Sequence, residues 1–369
     1  MNSATGQGWT VCLGEDEFDR RTQWRMLMAR RRPLRRGDDG IWMVAGYEPA
    51  TEILRHSEVG KHAMRAEADA MGDGEHLRRV VANTALVANG APHRQIRREL
   101  AIRGAQLASI ERSVPSLAAE LVERCGIEVE VMRDLARPLA LGVVEELTGC
   151  VAGPDPDEVF ADASALAGMF EMRADDADPA LLESSARRML EITQGAGDHR
   201  PEIAAGYFTT GLETASALSG AAVGFAAADA DLWGWLRTAD EAERSAYVDE
   251  VARLVSPVQF ALYSPNRTIE IGTTTIPAGD HLVVLITAAN CDPSVFTDPG
   301  SIRIERSQRH LAFGLGAHAC IGGGVATAQA RALLEAVLDR WGSAHVSRAS
   351  WRPASMIGGL EEIWLRTAA

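Results

Sequence analysis

The stretch His310-Leu-Ala-Phe-Gly-Leu-Gly-Ala-His-Ala-Cys-Ile-Gly-Gly-Gly324 surrounds one cysteine, Cys320, with five glycines. An apolar, alanine-rich run from Val325 to Trp341 follows with the spacing of a helix. Glycines permit tight turns and let a backbone approach a flat ligand closely. We therefore predict that Cys320 stands at a helix N-terminus, where free backbone N–H groups and the helix dipole favour a thiolate.

A lone cysteine in a glycine-rich loop is most often a small buried residue, but here six positions stand at set spacing. They are Phe313, Gly314, Gly316, His318, Cys320 and Gly322. The pattern resembles the haem-ligand loop of the haem-thiolate monooxygenases, the cytochrome P-450 family. The resemblance implies that Cys320 ligates the iron of a b-type haem and that the other loop residues contact this cofactor.

The bulk composition excludes several other classes of protein. A net charge of −14 argues against nucleic acid as a partner. We find no run of 18 apolar residues and no apolar signal-peptide core, so we expect a soluble, cytoplasmic protein without a membrane partner. The five cysteines contain no C-x-x-C pair, so their spacing fits neither a disulfide framework nor a zinc site.

A long, nearly uncharged helical run is predicted from Pro201 to Leu236. Four of its glycines, at 206, 211, 220 and 224, imply close packing or a distortion, because each costs about 1 kcal/mol against alanine. Between Glu202 and Asp229 the only charged residue is Glu213, and a carboxylate in so apolar a helix is expensive unless something uses it.

The segment Thr210-Gly-Leu-Glu-Thr214 resembles the central helix of the same family. That resemblance implies that Glu213 supplies protons, that Thr214 holds the water that passes them on, and that Gly211 makes room for dioxygen. The alternative is a helix in which Thr214 bonds its own i−4 carbonyl.

His93 and Arg97 lie four residues apart on a predicted helix and so share one face. By spacing alone an ordinary basic surface helix is the simpler interpretation. The pair matches the family's His-x-x-x-Arg, which implies that it binds the haem propionates. The neighbouring Arg94, Arg98 and Arg103 would then form a basic patch for an acidic electron donor.

Other positions match the family or depart from it. His310 fits a propionate-binding histidine, and Glu250 with Arg253 fits the structural Glu-x-x-Arg. Tyr263 stands where relatives place a second propionate-binding arginine, and either its hydroxyl or Arg267 could substitute. Ser301 and Arg303 depart from the pattern that supplies the third partner of the Glu–Arg pair. Residues implied to line the substrate pocket are Tyr207, Phe208, Thr210, Phe260, Ala261, Leu262, Met356 and Ile357.

Secondary-structure signals elsewhere are consistent with one mainly helical unit. We predict an amphipathic helix that lies in the arginine-rich residues 18–36 and ends near Pro33, a strand over 40–46, a helix over 47–56 and a mobile connection over 61–90. Low aromatic content, 5%, favours helix over sheet. The absence of a repeat or linker predicts a single domain over 1–369, mainly α with small β-sheets, built around a buried haem.

The resemblance implies a haem-thiolate monooxygenase that inserts one oxygen atom of O2 into a small organic substrate, in secondary metabolism. Without a flavin or nicotinamide motif, electrons are expected from a ferredoxin and its reductase. Two alternatives stay open. One is a haem enzyme that couples or rearranges its substrate without oxygen insertion. The other is a degenerate, non-catalytic binding module.

Overall fold

The structure is a computed structural model that describes residues 9, 33–62, 64, 65, 68, 74–102, 104–153, 155–169, 178–197, 199–352 and 356–368. The amphipathic helix predicted to end near Pro33 lies outside these residues up to position 32. The end of the arginine-rich stretch, Leu34–Arg36, forms a strand.

The described chain is mainly helical with small sheets, as predicted. The helices are α1 (Tyr47–Arg55), α2 (Glu75–Ala82), α3 (Gly90–Glu99), α4 (Gly104–Glu123), α5 (Arg137–Thr148), α6 (Pro156–Gly168), α7 (Pro179–Thr193), α8 (Pro201–Ala227), α9 (Ala230–Thr238), α10 (Glu241–Val255), α11 (Ile286–Asn290) and α12 (Gly323–Arg340). A π-helical turn, Met132–Ala136, precedes α5. None of the described helices is long and apolar enough to cross a membrane.

The strands form three small sheets around the helices. The strands are β1 (Leu34–Arg36), β2 (Trp42–Val44), β3 (Val59–Gly60), β4 (Glu128–Glu130), β5 (Ala261–Pro265), β6 (Ile269–Ile271), β7 (Thr274–Ile276), β8 (Leu282–Val284), β9 (Ser343–Trp351) and β10 (Leu360–Ala368). The sheet orders are β1-β2-β8-β5-β3, β4-β10-β9 and β6-β7. The parallel pairing of Trp42 on β2 with Leu282 on β8 joins segments 240 residues apart in the first sheet.

Helix α8 runs through the core and is buried over most of its length. It ends at Ala227 rather than continuing to Leu236 as predicted, because Asp229 caps a new helix by accepting from the N–H groups of Asp231 and Leu232. The close packing predicted for its glycines is present at Gly220, where a Cβ would overlap the sulfur of Met132.

The mobile connection predicted over 61–90 is wrong for its second half, which contains α2. Leu77, Val80 and Val81 are buried on one face of that helix. Their i, i+3, i+4 spacing was present in the sequence and is the signal that was missed. The carboxylate of Glu183 on α7 accepts from the N–H groups of His76 and Leu77 and thereby caps α2.

A buried ion cluster ties α10 to the segment that precedes the cysteine loop. The guanidinium of Arg253 is fully buried and donates to both oxygens of Glu250 and to the carbonyls of Asn290, Pro299 and Ser301. The third member is Arg306, whose Nε donates to Glu250 at 2.9 Å. Arg303 departs from the family pattern, and Arg306, three residues further along the chain, supplies the third partner of the Glu250–Arg253 pair.

The cluster gives a stability prediction. Glu250→Gln removes the carboxylate shared by two buried guanidinium groups and should lower the free energy of unfolding by about 3–5 kcal/mol. The measurement is urea unfolding followed by circular dichroism. The matched control is Glu305→Gln, because Glu305 pairs with Arg303 at a more exposed site and should cost no more than about 1 kcal/mol. Equal losses in the two variants would contradict the assignment.

Candidate active site

The cysteine loop is held in place by its own backbone and by α1. The N–H of Cys320 donates to the carbonyl of Phe313 at 2.7 Å, which closes the loop. Gly316 has φ +68°, and a Cβ there would overlap the carbonyl oxygen of Leu54. Only glycine combines this conformation with this approach. The loop geometry therefore explains part of the glycine pattern without any ligand.

Cys320 faces an accessible space inside the protein. Its side chain is exposed by surface area, yet burial by the surrounding protein is the largest cause that raises its pKa. Helix α12 begins at Gly323 with Gly322 as its N-cap, as predicted. Hydrogen bonds from the backbone of Gly322 and Gly323, and the nearby Arg97, act to lower the pKa.

Burial outweighs these donors, so the thiol pKa is raised overall, contrary to the expectation that the helix terminus alone favours the thiolate. A further positive charge at the sulfur is required to deprotonate it, and a metal ion supplies such a charge.

A group of basic side chains lies beside the loop. His93 is buried, and its Nε2 has no hydrogen-bond partner among the described residues. The rings of His93 and His318 lie 4.2 Å apart, and Arg97 donates to the carbonyl of Ala319 at 2.6 Å. Burial, followed by the charges of Lys61, His93, Arg97 and His62, lowers the pKa of His318 to about 3. The structure thus brings two of the predicted anchors, His93 and Arg97, together with the loop residue His318.

In His310, by contrast, both ring nitrogens already have hydrogen-bond partners within the protein. Its Nε2 lies 3.0 Å from Oδ1 of Asp249, and its Nδ1 accepts from the N–H of Ala312. No ring nitrogen is left to bind a carboxylate, which argues against the predicted role of His310 as a propionate anchor. His318, by contrast, lies beside the ring of His93.

Tyr263 is buried on β5, and burial raises the pKa of its hydroxyl. Its ring lies 6.2 Å from that of His318 and carries the ammonium of Lys61 at 3.5 Å from the ring centroid. Lys61 was not anticipated as a site residue. The signal that could have found it is that the sequence contains no other lysine.

A short stretch of α8 interrupts its buried surface. Thr210 is exposed, and Gly211, Thr214 and Ala215 are partly exposed, whereas Leu212 and Glu213 between them are buried. The hydroxyl of Thr214 donates to the carbonyl of Thr210 at 2.9 Å, which is the i−4 bond of the structural alternative. The Thr214 hydroxyl is therefore accessible, but it already has a hydrogen-bond acceptor within the helix.

Glu213 is not an isolated carboxylate, because it forms an ion pair with Arg352. Both side chains are largely buried, with 4% of Glu213 and 17% of Arg352 exposed. Arg352 follows strand β9, and its N–H donates to the carbonyl of Gly359. The C-terminal hairpin thus neutralises the charge that the apolar helix carries, a contact between segments 139 residues apart that no local pattern indicated.

The predicted pocket residues differ in how exposed they are. Tyr207 and Phe208 are core residues: the Tyr207 hydroxyl donates to the carbonyl of Leu100 at 2.6 Å, and Phe208 is fully buried. They do not line an accessible space, because the faces of α8 that carry them are packed inside the protein. The predicted residues of β5 and its approach, Phe260, Ala261 and Leu262, are partly exposed, whereas Met356 and Ile357 are buried.

The donor set suits a metal that brings most of its own ligands. Among the described residues no group of three or more His, Cys, Asp or Glu side chains could hold a metal ion. Cys320 offers one sulfur donor, and the unpartnered Nε2 of His93 lies with Arg97 and His318 as candidate donors to carboxylates. A haem has both an equatorial ligand set and two propionates, so these residues fit it.

Comparisons with known proteins agree with this site. The family model described as Cytochrome P450, here written cytochrome P-450, matches residues 245–347, which include the cysteine loop. Cytochrome P-450 144 of Mycobacterium tuberculosis is 29% identical over 268 residues, covering 64% of this chain and 61% of that protein. The cytochrome P-450 monooxygenase PikC of Streptomyces venezuelae is 27% identical over 364 residues, covering 89% and 85% of the two chains.

The fold is matched over nearly the whole chain. The crystal structure of CalO2 superimposes with a TM-score of 0.84 at 21% identity, covering 98% of this chain and 99% of that one. At this identity the likeness concerns the fold. Together with the cysteine loop and the helical architecture, the match over residues 245–347 makes this chain similar to the cytochrome P-450 family.

Proposed function

We propose that this protein is a haem-thiolate monooxygenase that inserts one oxygen atom of O2 into a small organic substrate of secondary metabolism. The observation that carries the proposal is Cys320, which faces an accessible interior space while backbone N–H groups of Gly322 and Gly323 point at its sulfur. When bound, the haem supplies the activation of dioxygen.

The residues around the sulfur hold the cofactor. Cys320 is the proximal ligand, and its backbone donors limit the charge on sulfur and so tune the iron. His93, Arg97 and His318 bind carboxylates of the porphyrin. Because His93 is buried and its Nε2 has no partner among the described residues, this nitrogen gains most when an acceptor is present.

On the accessible face of α8, Thr214 is the residue placed to hold a water by its hydroxyl, at the cost of its bond to Thr210. Glu213 can move a proton only when its ion pair with Arg352 loosens. Arg352 therefore decides whether the carboxylate is available, and the partly exposed pocket residues of β5 orient the substrate against this face.

Electron supply from a ferredoxin is part of the proposal. Arg94 and Arg98 are exposed on α3, the helix that carries His93 and Arg97. Such a basic surface steers an acidic partner. Arg103, the third predicted member of this patch, lies outside the described residues.

Oxidative coupling or rearrangement without oxygen insertion would use the same residues and therefore remains the alternative reaction. Products formed under ¹⁸O2 separate the two: incorporation of one labelled atom supports the monooxygenase, and an unlabelled coupled product supports the alternative. A chain that takes up no haem at all would support the binding module.

The ligand assignment predicts the effect of removing one sulfur. Cys320→Ala should abolish the red-shifted absorbance band of the reduced, carbon-monoxide-bound haem, because the iron loses its thiolate. Cys291→Ala, which removes a cysteine at the end of α11, outside the loop, should leave the band in place. Persistence of the band in Cys320→Ala would overturn the assignment.

The proposed role of Thr214 predicts a loss of coupling. Thr214→Ala should raise the hydrogen peroxide formed per NADH consumed by about threefold or more, since general-acid steps contribute larger factors than this. Ligands for the assay are chosen by the shift in haem absorbance that they cause.

Two variants control for a purely structural effect of that change. Thr209→Ala removes an equivalent i−4 hydroxyl bond from the buried face of α8 and should leave coupling unchanged, and Thr214→Ser should restore it. Equal peroxide release from Thr214→Ala and wild type would refute the role.

The Glu213–Arg352 pair predicts non-additive effects on stability. Each of Glu213→Gln and Arg352→Gln leaves a largely buried charge without its partner, whereas the double variant leaves none. The double-mutant cycle, measured by urea unfolding, should show a coupling of about 1–3 kcal/mol. Strictly additive losses would show that the two side chains do not interact.

A further inference from the structure

Lys61 is the only lysine in the sequence, and it lies in the interior. Lys61 comes directly after strand β3 in the chain, and 2% of the residue is exposed. Nζ donates to the carbonyl of Leu262 at 2.7 Å and lies over the ring of Tyr263. An ammonium has three N–H donors, so one carbonyl and one aromatic face leave part of its hydrogen-bonding capacity unused.

No carboxylate compensates this charge. Among the described residues no Asp or Glu forms an ion pair with Lys61 or Arg97, the two cations near His318. Burial alone lowers the pKa of Lys61 to about 7. A buried ammonium of this kind is costly unless an anion joins it. In the described part of the chain, the cluster formed by Lys61, His93, Arg97 and His318 therefore lacks a negative charge that would balance its positive charge.

The other candidate cation faces away from the cluster. Arg267 had been expected as a possible substitute for the arginine absent at Tyr263, but its side chain is 80% exposed and pairs with Glu58 at 3.8 Å. Lys61, in contrast, is joined to the cluster through a continuous series of contacts, from the Tyr263 ring to His318 and from there to His93.

We propose that Lys61 binds a carboxylate of the porphyrin and that Tyr263 positions its ammonium to do so. The inference rests on the proposed function. The flexible lysine stem allows Nζ to turn from the Leu262 carbonyl toward the site, while the ring face holds the cation electrostatically. An arginine at position 263 would place a second cation against Lys61, so the tyrosine and the lysine act as a pair.

The test measures how firmly haem is held, independently of turnover. Haem-loaded wild type, Lys61→Met, Lys61→Arg and the matched control Arg267→Met are mixed with excess apomyoglobin, and the rate of haem transfer is followed by absorbance. Lys61→Met should lose haem about tenfold faster, as expected for one lost charge-assisted hydrogen bond. Arg267→Met should match wild type, and Lys61→Arg should recover most of the loss.

Haem with both propionates esterified identifies the group that Lys61 contacts. With this cofactor Lys61→Met and wild type should release at the same rate, because the carboxylate is no longer an anion. A difference that persists, or Lys61→Met behaving like Arg267→Met with natural haem, would overturn the inference. Wild type that retains no haem would instead overturn the proposed function, and the inference with it.

A measurement on wild type covers the case in which Lys61→Met does not fold. Because Lys61 is the only lysine, an amine-reactive reagent modifies one side chain, which mass spectrometry of the peptides quantifies. Labelling of Lys61 should be about tenfold slower with natural haem than with esterified haem, since an ammonium paired with a carboxylate gives up its proton less readily. Equal rates would contradict the proposal.

Discussion

The balance of charge at one buried sulfur is the constraint on which the rest of the site depends. Protein packed around Cys320 raises the pKa of its thiol, and two backbone N–H groups at the start of α12 oppose this effect without overcoming it. The loop thus supports a thiolate but does not create one. It is suited to a ligand that brings positive charge to sulfur and negative charge to its own edge, which is the charge distribution of a haem with its propionates.

The buried ionic groups of the molecule fall into two kinds, and the difference between them locates the function. Glu250, Arg253 and Arg306 form a complete cluster in which each charge has partners. The cations around His318 have no carboxylate among the described residues. Complete buried clusters stabilise a fold, whereas an incomplete one has a cost that only a bound anion removes.

The C-terminal hairpin contacts two parts of the candidate site, and Arg352 makes the first of these contacts. Its ion pair with Glu213 makes the carboxylate tolerable inside α8 and at the same time restrains it. The hairpin contacts the same region through Met356, whose carbonyl accepts from Gln259 beside β5. One segment of chain therefore contacts both Glu213 and the residue that precedes the proposed pocket residues of β5.

Local patterns in the sequence determined the glycine-rich cysteine loop, the start of α12, the helix shared by His93 and Arg97, and the mainly helical class, because each depends on spacing within one element. Only the tertiary structure decided which charges are paired. Arg306 rather than Arg303 completes the Glu250 cluster, Asp249 occupies His310, Arg352 neutralises Glu213, and Lys61 joins Tyr263. These partners are brought together across tens to hundreds of residues, and the energy of a buried charge depends on what packs against it rather than on its neighbours along the chain.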